Sequence, residues 1–173
     1  MSDEHGVPAE ALRVIPLESR HLDACAAIVG GLQVFVPYGL DARLALRLLS
    51  AALSDAHADL LVVEATPSAG AEPAVAGFAW FVRRGAFDRS GYLRLIAVDD
   101  RFHGNGAGRL LMAELERRHV AQGGIVLLAG AANASAHRFY ERLGYQHVGE
   151  LPDYVKPGLH ERIYYKPPVT GRG

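Results

Sequence analysis

The sequence predicts a single α+β domain built around a mixed β-sheet. Its length of 173 residues is that of one ordinary domain. Half of the residues are hydrophobic and 21% are charged, which is the composition of a packed globular protein. Between residues 92 and 145, segments with strand character alternate with segments of helical periodicity, and this alternation is typical of a β-α-β-α unit.

The first half of the chain has the pattern of one strand, two helices and a β-hairpin. Helical spacing of apolar residues predicts the first helix, and Asp41 is a suitable N-cap for the second. Two prolines and a glycine indicate the turn of the hairpin. The predicted elements are a strand (11–17), a helix that begins at 18–20 and ends at Gly30 and Gly31, a loop (32–40), a helix (42–53), and two strands (60–65 and 74–83) around a turn (66–73).

The second half alternates between the two kinds of element and ends in a pair of strands. An uninterrupted apolar run at 125–129 indicates a strand covered on both faces. We expect residues 1–10 and 167–173 to be flexible ends of a domain that spans 11–166. The predicted elements are a turn (85–90), a strand (92–98), a glycine-rich loop (103–108), a helix (110–121), a strand (125–129), a helix (134–143), and two strands (145–151 and 162–166).

Charge and composition exclude several classes of partner. The formal net charge is −1, so no global excess of either sign draws the chain to nucleic acid or to an anionic membrane. No apolar run approaches the roughly 18 residues of a membrane span. The polar, acidic segment 1–10 does not resemble a signal peptide. The single cysteine, Cys25, fits a reducing compartment and a buried apolar position, so we expect a cytoplasmic protein.

The glycine-rich loop is the strongest chemical signal in the sequence. Gly104, Gly106 and Gly108 follow a predicted buried strand and lead into a helix. Glycine lets the backbone turn sharply and lets a ligand approach its amides. A helix start adds unpaired N–H groups and the positive end of a dipole, so the segment is suited to a phosphate or diphosphate. Arg101 and Arg109 add positive charge beside it.

Other interpretations of this loop fit less well. The Lys-Ser/Thr that ends a nucleotide-binding P-loop is missing, and the glycine spacing differs from G-x-G-x-x-G. No acidic residue ends a strand about 20 residues later, as a dinucleotide site requires. A purely structural turn would not need three glycines in five residues, given their cost in backbone entropy.

The loop resembles the acetyl-CoA-binding motif of the GNAT acetyltransferase superfamily, Gln/Arg-x-x-Gly-x-Gly/Ala. His103 then takes the place of the usual Gln or Arg, in the register that begins the helix just after Gly108. A register that starts at Arg101 would restore the arginine. The matching segment is His103-Gly104-Asn105-Gly106-Ala107-Gly108, followed by Arg109.

A second segment strengthens the resemblance. The residues from Asn133 to Tyr145 are similar to the family pattern Asn-x-x-Ala…Phe-Tyr-x-x-x-Gly-Phe/Tyr. The predicted order of elements also matches that family: strand, two helices, three strands, helix, strand, helix, two strands. The resemblance implies a single N-acetyltransferase domain with a mixed sheet of six or seven strands and about four helices. It also implies acetyl-CoA as cosubstrate and no metal.

The resemblance assigns roles to particular residues. It implies that the strand before the loop bulges and parts from the next strand, so that its backbone binds the cofactor arm. It places Tyr140 as the acid that protonates the departing thiolate and Asn133 as a contact to the arm; Asn133 is also a suitable helix N-cap. The strand residues concerned are Ile96, Ala97 and Val98, with the Val98 N–H near the thioester carbonyl.

The general base and the acceptor remain open at the level of sequence. The strands 74–83 and 92–98 contain no carboxylate, so either water carries the proton or a residue elsewhere does. Glu64 and the loop residues Asp153, His160 and Glu161 are the candidates for that residue. The resemblance implies a small-molecule or peptide amine as the acceptor. The candidates for its pocket walls are Phe35, Tyr38, Trp80, Tyr154 and His160.

Three hypotheses of function follow from these patterns. The first is an acetyl-CoA-dependent N-acetyltransferase. The second is an inactive acyl-CoA-binding module, motivated by the missing strand carboxylate. The third is a phosphate binder unrelated to CoA, which would bind ADP as well as acetyl-CoA. Homodimers are common in the family, and the sequence leaves the oligomeric state open.

Overall fold

A computed structural model of the chain describes residues 11–66 and 72–168. Within these residues, seven strands form one sheet in the order β1-β2-β3-β4-β5-β7-β6. The strands are β1 (Ala11–Pro16), β2 (Ala58–Thr66), β3 (Ala74–Ala86), β4 (Ser90–Val98), β5 (Ile125–Gly130), β6 (Gln146–Leu151) and β7 (Glu161–Lys166). The α-helices are α1 (Leu22–Gly31), α2 (Ala42–Ala52), α3 (Ala107–His119) and α4 (Ala134–Arg142).

The sheet is mixed, as the sequence predicts. Neighbouring strands pair antiparallel, except that β4 and β5 run parallel and are joined by the crossover helix α3. The order of strands and α-helices along the chain is also the predicted one. The predicted α+β fold class is therefore confirmed.

Two apolar layers cover the sheet. Along β3 the side chains alternate between the layers, with Phe78 and Trp80 on one face and Ala79 and Phe81 on the other, as the pleat of a strand requires. The first layer contains buried residues of α1 and α2, including Cys25. The second contains buried residues of α3 and α4. The two layers therefore lie on opposite faces of the sheet.

Several predicted boundaries are wrong, among them the following three. The predicted loop at 32–40 contains a 3₁₀ helix, Gln33–Tyr38, because short i to i+3 hydrogen bonds tolerate Pro37 where a longer α-helix would not. β3 extends into the predicted turn (85–90) as far as Ala86, which pairs with Ser90 at the start of β4. Helix α3 begins at Ala107 and not after Gly108, so Gly108 lies in its first turn.

Several predictions fall partly outside the described residues. Most of the predicted turn at 66–73 lies at 67–71, and the predicted flexible ends lie at 1–10 and largely at 169–173. The N-cap prediction does fall on described residues and is confirmed, because the Asp41 Oδ1 accepts the Leu44 N–H at 2.7 Å. None of the described helices is long and apolar enough to cross a membrane.

Candidate active site

The parallel strands β4 and β5 separate after only three paired positions. The last pair is Leu93 with Leu127, although both strands continue. At the point of separation β4 carries a bulge: Phe81 of β3 pairs with Leu93, whereas the adjacent Trp80 pairs with Leu95. Arg94 is the extra residue. The bulge and the split leave the backbone of residues 95–98 paired with β3 on one side and available on the other.

A cleft of about 1590 Å³ opens at this split. All residues that the sequence assigned to cofactor binding line it, except Asn105. Asn105 is exposed. The assigned residues that line the cleft are Ile96, Ala97, Val98, His103, Gly104, Gly106, Ala107, Gly108, Arg109, Asn133 and Tyr140.

The glycine loop presents open backbone to the cleft. Gly104 and Gly106 have φ angles of +83° and +89°, and no atom lies within 4 Å of where a Cβ would be. An L side chain rarely adopts such angles, so glycine is required for the backbone path here. Helix α3 closes its first hydrogen bond between the Leu110 N–H and the Gly106 carbonyl at 3.0 Å. The preceding amides, at 107–109, point their dipoles out of the helix start.

Arginines concentrate around this end of the cleft. Arg109, Arg138 and Arg142 all line it, whereas Asp100 is the carboxylate among the lining residues there. The Asp100 carboxylate lies 3.4 Å from His103. The sequence reasoning missed Arg138 and Arg142; their i, i+4 spacing on α4 was the available signal. The resulting positive potential favours an anionic ligand.

Arg101 does not belong to this cluster. Its backbone N–H and its guanidinium both contact the Asp99 carboxylate, the latter at 2.7 Å. This contact with Arg101 lowers the pKa of Asp99. The alternative motif register, which begins at Arg101, therefore places its arginine on Asp99 and outside the residues that line the cleft.

Tyr140 lies at the junction of α4 and the second apolar layer. Its side chain is 5% exposed and packs edge-to-face against Tyr145, with ring centroids 5.8 Å apart. Burial raises the pKa of Tyr140 well above that of an ordinary tyrosine. The hydroxyl has no hydrogen-bond partner among the described residues. Because its pKa is raised, the hydroxyl stays protonated at neutral pH. Because it has no partner in the part of the chain that the structure describes, it is available as a proton donor to a group in the cleft.

Asn133 forms the N-cap of α4, as its local sequence predicts. Its Oδ1 accepts the Ala136 N–H at 3.0 Å, and its own backbone N–H donates to the Gly130 carbonyl at 2.8 Å. These bonds fix the start of α4 against the end of β5. The side-chain amide still has N–H groups with which it could contact a ligand in the cleft.

A second group of residues lines the other end of the cleft, between the 3₁₀ helix and β7. Glu161 begins β7, is 4% exposed, and accepts a hydrogen bond from the Tyr38 hydroxyl at 2.6 Å. Burial, and then this bond to Glu161, raises the pKa of Tyr38. Gly130 makes the contact sterically feasible, because a Cβ there would lie 2.6 Å from the Tyr38 oxygen.

The β4 bulge places Arg94 in the same end of the cleft. Its guanidinium lies 4.7 Å from the centroid of the Trp80 ring. The indole Nε1 of Trp80 is buried and has no partner among the described residues. Of the other predicted wall residues, Phe35 and Tyr154 line the cleft, whereas His160 does not. The His160 Nδ1 instead accepts the Asp153 N–H at 3.0 Å.

The candidates for the general base differ in whether they line the cleft. Glu64 lies outside the cleft and contacts Arg20 at 2.9 Å and His21 at 3.2 Å, so the prediction that it could serve is not supported by its position. Asp153 also lies outside the cleft and binds the Gly158 N–H. Glu161 is the remaining carboxylate candidate and it lines the cleft. Among residues 11–66 and 72–168, no cluster of three or more His, Cys, Asp or Glu is arranged to hold a metal.

A family model and several curated relatives match parts of the chain. The sequence model of the Acetyltransferase (GNAT) family matches residues 33–145. Human N-acetylaspartate synthetase is 33% identical over 85 residues, which are 46% of this chain and 28% of that protein; the rat protein of the same name is 34% identical over 86 residues, again 46% of this chain and 28% of the relative. The matched part is thus under a third of the length of these curated relatives.

Solved structures share the whole fold at low sequence identity. The ribosomal-protein-S18-alanine N-acetyltransferase from Escherichia coli has a TM-score of 0.70 and 22% identity, with 94% of this chain and 97% of that chain covered. Spermidine N-acetyltransferase from Vibrio cholerae, solved with CoA and spermine, has a TM-score of 0.71 and 17% identity, with 90% and 94% covered. At these identities the likeness concerns the fold.

Proposed function

Because the chain belongs to the acetyltransferase (GNAT) family, we propose that it transfers an acetyl group from acetyl-CoA to a primary amine of a small molecule or peptide. The observation that carries this proposal is the cleft in which the separated edge of β4 meets the glycine loop. An extended thioester arm needs backbone hydrogen-bond partners, and a diphosphate needs amides and positive charge. This cleft supplies both.

The donor substrate fits the end of the cleft formed by the loop and α4. The amides at 107–109 and the open backbone of Gly104 and Gly106 would bind the diphosphate. The nearby arginines would neutralise its charge. The available edge of β4, residues 96–98, would pair with the amide groups of the pantetheine arm. Asn133 would contact that arm from the start of α4.

The chemistry is a direct attack of the amine on the thioester. The amine nitrogen bonds to the carbonyl carbon, the carbon–sulfur bond breaks, and the electron pair leaves on sulfur. The Val98 N–H would stabilise the oxyanion of the tetrahedral intermediate. Tyr140 would give its proton to the thiolate and regain one from water. Glu161 would take the proton that the amine loses, directly or through one water.

Two features support Glu161 as the base. The acceptor end of the cleft is the end between the 3₁₀ helix and β7, and among the described residues Glu161 is the carboxylate that lines it. The hydrogen-bond partner of Glu161 there is the neutral hydroxyl of Tyr38. A buried carboxylate without a cationic partner attracts the ammonium form of an acceptor and can then receive its proton. Its place at the start of β7 fixes it relative to the end of β5.

We also expect the protein to act in the cytoplasm, without a nucleic-acid or membrane partner.

Cys25 is fully buried, and burial raises the pKa of its thiol to about 12. It therefore behaves as a core residue and not as a nucleophile. This agrees with a mechanism in which the acetyl group passes straight from sulfur to nitrogen.

Titration calorimetry with acetyl-CoA, CoA and ADP, followed by thiol release with a panel of amines, tests the proposal. We expect acetyl-CoA and CoA to bind far more tightly than ADP, and at least one amine to release thiol. Binding without turnover for any amine would support the inactive acyl-CoA-binding module instead. Equal affinity for ADP and acetyl-CoA would contradict both, because the pantetheine arm would then contribute nothing.

A further inference from the structure

The charged residues of the cleft fall into two groups. Those on the glycine loop and α4 are mainly arginines and suit the donor. Outside α4 and the segment 100–109, which contains the glycine loop with Asp100 and Arg109 on either side of it, the charged side chains among the described lining residues are one cation, Arg94, and one anion, Glu161. The acceptor end therefore carries one charge of each sign.

The guanidinium of Arg94 is positioned so that it can bind a ligand. The bulge turns it onto the face of Trp80, and the stack at 4.7 Å occupies the flat side of the guanidinium. Stacking leaves the N–H donors around the rim of the guanidinium free to bind a planar anion. Within residues 11–66 and 72–168, no carboxylate forms an ion pair with it.

The phosphates of the donor are not a suitable partner for Arg94. Val98 lies four positions further along the strand, which is roughly 13 Å of extended chain. The glycine loop begins further on and has Arg109, Arg138 and Arg142 beside it. Arg94 is therefore available for the other substrate.

Arg94 and Glu161 act on the same part of the cleft. Burial is the largest cause of the raised pKa of Tyr92, but Arg94 opposes the rise while Tyr154 and Glu161 add to it. Both charged side chains also line the cleft near the first apolar layer, because Arg94 stacks on Trp80 of that layer and Glu161 binds Tyr38 of the 3₁₀ helix, whose Phe35 packs against the same layer. Since the two side chains form no ion pair with each other, a ligand that carries both charges can fit between them.

We propose that the acceptor is an amino-carboxylate, whose amine faces Glu161 and whose carboxylate binds the Arg94 guanidinium. This inference rests on the proposed acetyl transfer, and it names the substrate class for that site. A bidentate bond between guanidinium and carboxylate fixes the amine relative to the thioester. A polycationic acceptor is disfavoured, because Arg94 repels a second positive group.

Matched acceptor pairs test this inference. Each pair consists of a free amino acid and its carboxamide, in which the amine is kept and the negative charge is lost. We expect wild-type kcat/KM to favour the acid by about 100-fold, which is the effect of one charged hydrogen-bonded pair. The amine of the carboxamide is less protonated at neutral pH, so intrinsic reactivity would favour the opposite order.

Variants then assign the preference to Arg94. R94Q should remove the preference by lowering kcat/KM for the acid alone, with the affinity for acetyl-CoA unchanged. R94K should restore part of it. R47Q, at an exposed arginine of α2 outside the cleft, is the matched control and should behave as wild type. Melting temperatures of all four proteins show whether the R94Q result reflects a folded protein.

Several outcomes would overturn the inference. They are equal use of acid and carboxamide by the wild type, and an equal loss for both acceptors in R94Q. If no amine is turned over, calorimetry of the CoA-saturated protein with the same pairs still gives a result. Binding of the acid but not the carboxamide would support the acceptor class while contradicting the proposed activity. Binding of neither would overturn the acceptor class.

Discussion

The two ends of the cleft are built from different kinds of groups. The donor end consists mainly of backbone: the separated edge of β4, the glycine loop and the first amides of α3. The acceptor end consists of side chains, chiefly Tyr38, Trp80, Arg94 and Glu161. The donor end should therefore respond to changes in backbone conformation. The acceptor end should respond to the loss of single functional groups.

The largest expected effect is at the acceptor end. E161Q removes the proposed base but keeps an oxygen that can accept the Tyr38 hydrogen bond. We expect kcat to fall by about 10²- to 10⁴-fold, with the affinity for acetyl-CoA unchanged. Steady-state kinetics and calorimetry measure the two quantities. E72Q changes an exposed carboxylate outside the cleft and serves as the control; an unaltered kcat in E161Q would rule out the role of Glu161.

The next effect is at the donor end. G106V cannot keep a φ angle of +89°, so the loop must relax and move its amides. Loss of one or two charged hydrogen bonds to the diphosphate should weaken acetyl-CoA binding by about 100-fold. Calorimetry measures this, and circular dichroism checks the fold.

G158V is the matched control for that experiment. Gly158 has a φ of +85° and equally open space around a Cβ, but it lies in the β6–β7 connection and does not line the cleft. It carries the same backbone strain at a different place. If both variants lost the same affinity, the loop at 104–108 would have no special part in binding.

A smaller effect is expected where the two ends meet. Y140F keeps the buried ring and removes the hydroxyl. A thiolate is already a good leaving group, with an ordinary thiol pKa of about 8.5, so we expect kcat to fall only about tenfold. Because burial raises the pKa of Tyr140, the ratio of wild-type to Y140F rates should be constant from pH 7 to about pH 9. A ratio near one, or one that falls in this range, would refute the proton-donor role.

The smallest effect on activity is expected outside the cleft. The Asp59 carboxylate contacts the His119 Nε2 at 2.7 Å and the Arg118 Nη1 at 3.1 Å. The hydrogen bond to His119, the largest cause, lowers the pKa of Asp59. Its stabilising contribution is therefore full above the ordinary aspartate pKa of about 3.9 and is lost as pH falls through the lowered value.

D59N should test this separation of stability from activity. We expect it to lower the free energy of unfolding by about 1–2 kcal/mol at pH 7, with kcat and acetyl-CoA affinity unchanged. Urea unfolding at pH 7 and at pH 3 measures the difference between wild type and variant, which should shrink at the lower pH. A constant difference would mean that the Asp59 charge contributes nothing.

The contrast between the two ends also explains what the sequence could predict. The donor end comes from two continuous segments, and the glycines and Asn133 carry conformational requirements that are visible in the sequence itself. The order of strands and α-helices follows from hydrophobic periodicity. The start of α3 was misplaced because Gly108, a poor helix former, lies inside its first turn.

The acceptor end could not be assembled in this way. Tyr38 lies in a segment predicted to be a loop, Arg94 depends on a bulge, and Glu161 opens the last strand. Only the sheet order, with β7 inserted beside β5, brings Glu161 to Gly130 and so to Tyr38. Such contacts between distant segments have no local signal, and for this reason the base remained open among several candidates.

Amide hydrogen exchange of the wild-type protein with and without acetyl-CoA tests the central claim most directly. Binding should slow exchange at the amides of residues 106–109 at the start of α3 and on the available edge of β4 at 96–98, while the β1–β2 pair at the far edge of the sheet is unaffected. Acetyl-CoA that binds without slowing exchange in the glycine loop, or that does not bind, would contradict the account.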